Sequence, residues 1–184
     1  MRLAMTGHLT TAGAGIDGDR MIVVIMGVAA SGKSLIAESL ARQTGWAMIE
    51  SDNYHPKANR EKMASGTPLT NADRMPWIDA LGQAIGAGKD GPVVVACSAL
   101  NHGVRSRLES AVNGPCQWVL LDVPVDILAE RIATRKDHFM PASLLASQLE
   151  ALELPENPIR VDGTGSPPEI CAAILQALHE RHEQ

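Results

Sequence analysis

The chain has 184 residues, of which 45% are hydrophobic and 3% aromatic, and its formal net charge is -5. This length suits one well-buried domain rather than two. The negative charge and the few aromatic side chains argue against a nucleic-acid-binding surface, and no apolar run approaches the length of a membrane span. Three widely spaced cysteines show neither metal-ligand spacing nor a disulfide framework, which predicts a reduced, cytoplasmic setting.

The first twenty residues are rich in Gly, Thr and Ala and contain no continuous apolar stretch, so they predict a flexible leader rather than a secretory signal. Residues 21–184 are predicted to form a single α/β domain, because apolar runs alternate there with amphipathic stretches. This alternation is typical of a three-layer fold with a five-stranded parallel sheet between helices. The predicted strands span residues 21–26, 46–50, 92–97, 117–122 and 159–162. The predicted helices span residues 32–44, 71–87, 101–112, 125–135, 141–152 and 168–183.

The first predicted strand leads directly into a G-x-x-x-x-G-K-S pattern, the phosphate-binding P-loop, formed by Gly27, Val28, Ala29, Ala30, Ser31, Gly32, Lys33 and Ser34. Its glycines let successive N–H groups point at phosphate oxygens, and the helix that follows adds its positive N-terminal end. We expect Lys33 to reach the outer phosphates and the Ser34 hydroxyl to bind Mg²⁺. The loop predicts phosphate binding without identifying the ligand.

Two carboxylates, Glu50 and Asp52, follow the second predicted strand. Acids at the carboxyl end of a strand project toward the crevice in which α/β proteins bind ligands. In phosphoryl transfer, one acid can orient Mg²⁺ through water while the other accepts the proton of the attacking hydroxyl. An isolated acidic pair more often caps a loop or faces solvent. The P-loop favours the catalytic interpretation here, since both strand ends open onto one crevice.

The next segment, residues 55–77, is polar, basic in patches and interrupted by Gly and Pro. It is compatible with a solvated connection in which Trp77 anchors the core. It is equally compatible with an acceptor-binding insert whose basic side chains meet an anionic substrate.

Two arginines, Arg131 and Arg135, stand four residues apart on the helix predicted after the fourth strand. Neither has an acidic residue three or four positions away, so the two repel each other mildly in the absence of an anion. This pattern favours a phosphate clamp, although isolated surface arginines are common. The third predicted strand is followed by Ser98, Ala99 and Leu100 and lacks the aspartate of a usual magnesium-binding strand. A metal would therefore depend on Ser34, phosphate oxygens, water and the Glu50/Asp52 pair.

A longer pattern is far more specific than the P-loop. It consists of Met26, Gly27 and Val28; Asp52, His55 and Pro56; Asn59, Lys62, Met63, Gly66, Pro68 and Leu69; Asp73, Arg74, Pro76 and Trp77; residues 97–100 with Arg105; and Arg135, Lys136, residues 138–141, 143–145, Ser147 and Gln148. Together these residues resemble gluconate kinase (gluconokinase) of the small P-loop type, over residues 22–163.

The resemblance implies a P-loop kinase fold like that of shikimate and nucleotide kinases, with a helical lid at about residues 131–150, and a homodimer. It also implies Mg²⁺-dependent transfer of the γ-phosphate of ATP to the 6-hydroxyl of D-gluconate. We expect Lys33, Asp52, Arg131 and Arg135 to be catalytic. The carboxylate of gluconate favours a planar, bidentate donor. Arg74, Arg60 and Arg105 are the candidates for this donor, in that order. Asp52 and His55 complete the predicted acceptor-binding residues.

The chain departs from the family pattern at Ala29 and Ala30, where Ser and Gly are usual, and at Glu50, where Asp is common. An alanine in place of the glycine is harmless only if that residue keeps a negative φ. Two alternative functions are also compatible with these residues. One is another small-molecule kinase on the same fold, such as a shikimate or nucleotide kinase. The other is a catalytically inactive nucleotide-binding regulator, which the two alanines favour.

Overall fold

The computed structural model describes residues 20–88, 90–112, 114–134 and 143–183. These residues form one five-stranded sheet in which every strand pairing is parallel. The strands are β1 (Ile22–Met26), β2 (Ala47–Glu50), β3 (Val93–Ala96), β4 (Cys116–Asp122) and β5 (Ile159–Asp162), in the spatial order β2-β3-β1-β4-β5. All five predicted strands are confirmed to within one residue at either end. The predicted leader lies outside the described residues except for Arg20, and a single domain over residues 21–184 stays a prediction.

The described residues form seven α-helices: α1 (Lys33–Thr44), α2 (Lys57–Ala64), α3 (Asn71–Ala87), α4 (His102–Val112), α5 (Val125–Thr134), α6 (Ser143–Glu150) and α7 (Pro167–His182). All of these helices except α2 were predicted from the sequence, so the six predicted helices are confirmed. The α2 helix and a short 3-10 helix, Ser51–Tyr54, were not predicted and lie between β2 and α3. Within the described ranges, no helix is long and apolar enough to span a bilayer.

The central strand β1 is buried along its whole length, and its side chains alternate between two apolar layers. Val23 and Ile25 pack on one face with residues of α1 and α7, whereas Val24 and Met26 pack on the other face with residues of α3 and α4. A strand covered on both faces needs a continuous apolar run, which is the pattern of residues 22–26. The sheet is thus the middle layer of the predicted three.

Two helices flanking the sheet begin at capping boxes. In α3, Asp73 N donates to Thr70 Oγ1, and the Asp73 carboxylate accepts from Thr70 N. In α7, the Glu169 carboxylate accepts from Ser166 N in the same way. Each box satisfies backbone donors that the first turn of a helix leaves without partners. The α3 box also fixes the chain just before Arg74.

The two helices on one face of the sheet, α3 and α4, approach each other closely at Gly82. A Cβ on this residue would lie 2.4 Å from the Cβ of Ala111, so only glycine fits there. This close packing fixes α3 against α4 on that face of the sheet.

Candidate active site

The P-loop connects β1 to α1 through two glycines with positive φ, Gly27 at 148° and Gly32 at 98°. Ala30 also has a left-handed φ of 63°, so the condition under which an alanine would be harmless is not met. This conformation costs an ordinary residue roughly 1–2 kcal/mol. The Ala30 methyl compensates in part, because it is buried in an apolar cluster that includes Leu100 and Leu145.

Five P-loop residues line a cleft of about 380 Å³ at the carboxyl end of the sheet: Ala29, Ala30, Gly32, Lys33 and Ser34. The other three predicted cofactor-binding residues, Gly27, Val28 and Ser31, are buried in the loop itself. Lys33 Nζ donates to Val28 O at 2.9 Å. This hydrogen bond holds the lysine ammonium against the loop, where the motif predicts phosphate oxygens.

The opposite wall of the cleft contributes a side chain to the P-loop. Ala29 N donates to Gln148 Oε1 of α6 at 2.7 Å. Gln148 and its neighbour Ser147 both line the cleft. A backbone donor of the phosphate loop is thus paired with a residue 119 positions later in the chain.

The two acids after β2, Glu50 and Asp52, have different surroundings. Asp52 lines the cleft, and its side chain is 66% exposed. Glu50 caps the 3-10 helix by accepting from Asp52 N at 3.4 Å and does not line the cleft. The structure thus brings Asp52, but not Glu50, together with Lys33 and Ser34.

His55 is buried beside Asp52, with Nε2 3.9 Å from Asp52 Oδ1. Burial lowers the pKa of His55 to about 4, although the negative charge of Asp52 opposes the shift. The positive charges of Arg60 and Arg74 lower the pKa further. At neutral pH His55 is therefore an uncharged imidazole. It can donate or accept a hydrogen bond without adding charge to the cleft.

Helices α2 and α3 are joined by polar contacts. Asn59 Nδ2 donates to Asp73 O at 2.7 Å, and Lys62 Nζ lies 2.7 Å from Asp73 Oδ1. The Lys62 hydrogen bond is the main reason that the pKa of Asp73 is lowered to about 2. These contacts fix residues 55–77 as a folded wall rather than a loose connection.

Of the three predicted acceptor-binding arginines, only Arg74 lines the cleft. Its Nη1 donates to Asn71 Oδ1 at 3.2 Å, and partial burial lowers its pKa. Arg60 is exposed on α2 and donates to His55 O at 2.9 Å. It braces the histidine from outside the cleft.

Arg105 is buried, with 4% exposure, and does not line the cleft. Its Nη1 donates to Ala99 O at 3.0 Å and to Glu153 O at 2.8 Å. It therefore ties the loop after β3 to the segment that follows α6, rather than presenting a guanidinium to an acceptor.

Arg131 lies at a second hollow, which Thr134, Gly163, Gly165 and Pro167 also line. Its Nη2 donates to Gly163 O at 3.0 Å, and its Nη1 donates to Ala30 O at 3.3 Å. Ser31 and Gly32 border this hollow from the P-loop side. The arginine thus links the phosphate loop to the loop after β5. Its predicted companion Arg135 and much of the predicted lid lie outside the described residues.

The strand order, the P-loop after β1 and the cleft beside it define a P-loop kinase. A family model described as an AAA domain matches residues 22–155. The gluconokinase of Gluconobacter oxydans is 42% identical over 161 residues, covering 84% of this chain and 89% of that protein. The chain belongs to the gluconokinase family.

Solved structures agree with this assignment. A gluconokinase from Sinorhizobium meliloti is 40% identical and superposes with a TM-score of 0.78, covering 90% of this chain and 96% of that one. A shikimate kinase from Aquifex aeolicus shares the fold, with a TM-score of 0.57 at 18% identity over 88% of this chain and 98% of that chain. The predicted fold class and family are therefore confirmed.

Proposed function

We propose that this chain transfers the γ-phosphate of ATP to the 6-hydroxyl of D-gluconate, giving 6-phosphogluconate. The observation that carries the proposal is the composition of a single cleft, in which Lys33 and Ser34 of the P-loop lie together with Asp52 and Arg74. These residues match the needs of two anionic reactants. The family to which the chain belongs supplies the identity of the acceptor.

Each half of the cleft has a distinct task in this reaction. The P-loop amides and Lys33 hold the β- and γ-phosphates and stabilise the charge that spreads over the transferring group. Asp52 orients the 6-hydroxyl and accepts its proton as the oxygen attacks phosphorus. Arg74 pairs with the gluconate carboxylate, for which a guanidinium offers two parallel donors.

The remaining predicted catalytic and binding residues have supporting tasks. His55 offers a neutral hydrogen-bonding group beside Asp52, and Arg60 holds it in place. Arg131 and the loop after β5 border the hollow on the other side of the P-loop, which suits the nucleoside end of ATP. Arg135 retains its predicted task as a second cation over the phosphates. Arg105 supports the cleft through the loop after β3.

The donor set of the cleft fits Mg²⁺. No three His, Cys, Asp or Glu side chains form a metal cluster within the described ranges, so this part of the chain offers no protein-only cage. Mg²⁺ prefers oxygen ligands and keeps substrate phosphates and waters in its shell, which suits a site where the Ser34 hydroxyl is the protein ligand. Glu50 acts indirectly by fixing the turn that carries Asp52. When bound, the ion neutralises phosphate charge.

We extend the proposal to a cytoplasmic homodimer. Cys97, Cys116 and Cys171 are free and buried, which agrees with a reduced compartment. Size-exclusion chromatography with light scattering tests the dimer, since a monomer at micromolar concentration would contradict it.

A coupled assay that follows ADP production tests the reaction, with gluconate, shikimate and nucleoside monophosphates offered separately. We expect turnover with gluconate alone, and a 6-phosphogluconate dehydrogenase coupling step identifies the product. Turnover of shikimate or a nucleotide without gluconate would favour another kinase of this fold. Nucleotide binding without turnover of any acceptor would favour a catalytically inactive nucleotide-binding regulator.

A further inference from the structure

The guanidinium of Arg74 is partly buried at the cleft and has no acid within salt-bridge distance among the residues that the structure describes. The neighbouring carboxylate, that of Asp73, accepts hydrogen bonds from Lys62 Nζ and Thr70 N instead. Asp73 still acts on Arg74 through its charge, but burial outweighs this effect and lowers the pKa of Arg74. A partly buried cation without a paired acid suits an anionic ligand, which supplies the missing charge.

Asn71 holds one edge of this guanidinium. Arg74 Nη1 donates to Asn71 Oδ1 at 3.2 Å, and Asn101 Nδ2 donates to the same oxygen at 3.1 Å. An arginine side chain can only donate hydrogen bonds, so the Asn71 atom that faces it is the carbonyl oxygen. Asn71 is exposed and does not line the cleft, so it contacts Arg74 from outside the acceptor site.

The orientation of Asn101 is also fixed, because this residue directly precedes α4 and caps it. Val104 N donates to Asn101 Oδ1 at 3.0 Å, which leaves the NH₂ group at the other end of the carboxamide, toward Asn71. Leu100, the residue before Asn101, lines the cleft. A series of hydrogen bonds thus runs from the backbone of α4 through two amide side chains to Arg74, and it connects α3 with the loop after β3.

Both side chains in this series are uncharged. They orient the guanidinium without neutralising it, so its charge remains available to a ligand. A guanidinium pairs with a carboxylate through two parallel N–H donors, which requires the planes of the two groups to align. Fixing one edge of the guanidinium in advance also reduces the side-chain entropy that is lost when the ligand binds.

We infer that Asn71 is a positioning residue for acceptor binding. Its carbonyl oxygen, held by Asn101, fixes the plane of the Arg74 guanidinium so that the other donors of Arg74 meet the carboxylate of the sugar acid. The inference rests on the proposed function and adds to it two residues that lie outside the cleft.

Two variants remove parts of this series. Asn71→Ala removes the oxygen that Arg74 contacts, so the KM for gluconate at saturating ATP should rise about threefold to tenfold, the loss typical of one hydrogen bond. Asn101→Ser keeps an oxygen that caps α4 but has no NH₂ donor for Asn71, so the KM should rise about twofold or more. The KM for ATP and the urea midpoint of Asn71→Ala should stay at wild-type values, because Asn71 is exposed. Gln83→Ala, which removes an exposed amide from the same helix, is the matched control.

A double-variant cycle with Arg74→Lys tests whether the effect of Asn71 passes through Arg74. Lysine keeps the positive charge, and thus measurable gluconate binding, but its ammonium has no plane to orient. In the Arg74→Lys background, Asn71→Ala should therefore change the KM for gluconate by less than about twofold. An equal fold-change in both backgrounds would overturn the inference.

Two further outcomes count against the positioning role. An unchanged KM for gluconate in Asn71→Ala would refute it, and so would a fall in the urea midpoint with a lower kcat at unchanged KM, which is the result of a purely structural role. If the wild-type chain does not phosphorylate gluconate, the proposed function itself is wrong. An active wild type with an unaffected Asn71→Ala variant refutes only the role of Asn71.

Discussion

His55 stacks on Trp77, with ring centroids 4.1 Å apart and an angle of 18° between the ring planes. Trp77 is itself fixed, because its Nε1 donates to Ser51 O at 2.7 Å in a buried position. The stack keeps the imidazole out of water yet within 3.9 Å of Asp52. A buried, neutral histidine is thereby held against the acid that we assign as the general base.

The stack makes stability depend on pH. The pKa of His55 is about 4 in the folded chain against an ordinary value of 6.5, so between these values the unfolded chain binds a proton that the folded chain does not. The free energy of unfolding should therefore fall as the pH decreases from 6.5 to 4, by up to about 1.4 kcal/mol per unit and about 3 kcal/mol in total.

Urea denaturation at intervals between pH 4 and 7.5 measures this dependence. His55→Phe keeps an aromatic ring against Trp77 but cannot bind a proton, so its unfolding free energy should vary less over the same range. His182→Gln, at an exposed position near the end of α7, should retain the wild-type slope. Parallel curves for wild type and His55→Phe would show that His55 does not account for the dependence.

Replacing Asp52 by Asn tests the general base. The substitution keeps the size of the side chain and removes its ability to accept a proton, so kcat should fall about 10²- to 10⁴-fold. ATP affinity should stay within a few-fold of wild type, since Lys33 and the loop amides are untouched. Glu61→Gln, at an exposed acid of α2, is the control and should leave kcat unchanged. A kcat for Asp52→Asn within threefold of wild type would assign proton acceptance to another group.

The two P-loop alanines should respond differently to replacement by glycine. At Ala30, replacement by glycine removes the cost of a left-handed backbone, which is roughly 1–2 kcal/mol. This gain offsets two losses, the burial of the methyl group and the lower entropy of the unfolded alanine chain. Ala29 does not have a positive φ, so Ala29→Gly lowers the unfolding free energy by about 0.5–1 kcal/mol without that relief. Chemical denaturation compares the two. Ala30→Gly should be the more stable variant, and the reverse order would contradict the strain.

The central strands of the sheet, β1 and β3, could be predicted from sequence because they are covered on both faces. Such strands require continuous apolar runs, and residues 22–26 are buried without exception. The α2 helix could not be predicted in the same way, since only Asn59 and Met63 of its eight residues are buried. A polar helix with so little buried surface shows no apolar stripe.

The site residues that belong to a short sequence motif could be predicted. The site contacts between residues far apart in the sequence could not. Lys33, Ser34 and Asp52 follow strand ends, so their convergence in one cleft follows from the topology of a parallel sheet. The contact between Ala29 and Gln148 joins residues 119 positions apart, and no local pattern encodes it. Likewise, an arginine such as Arg105 looks the same in sequence whether it binds a ligand or two carbonyls.

The two arginines of α4 test whether Arg105 has a structural role or binds a ligand. Arg105 is buried and bridges Ala99 O and Glu153 O, whereas Arg107 forms a half-exposed pair with Asp79, with Nε 2.6 Å from Oδ1. Arg105→Met leaves two carbonyls without their donor, which should lower the unfolding free energy by about 2–4 kcal/mol. Arg107→Met breaks a pair that water screens, so the expected loss is at most about 1 kcal/mol. Urea denaturation of both variants makes the comparison. If Arg105→Met instead kept wild-type stability and raised only the KM for gluconate, Arg105 would be an acceptor-binding residue after all, and the bridge would not be its main task.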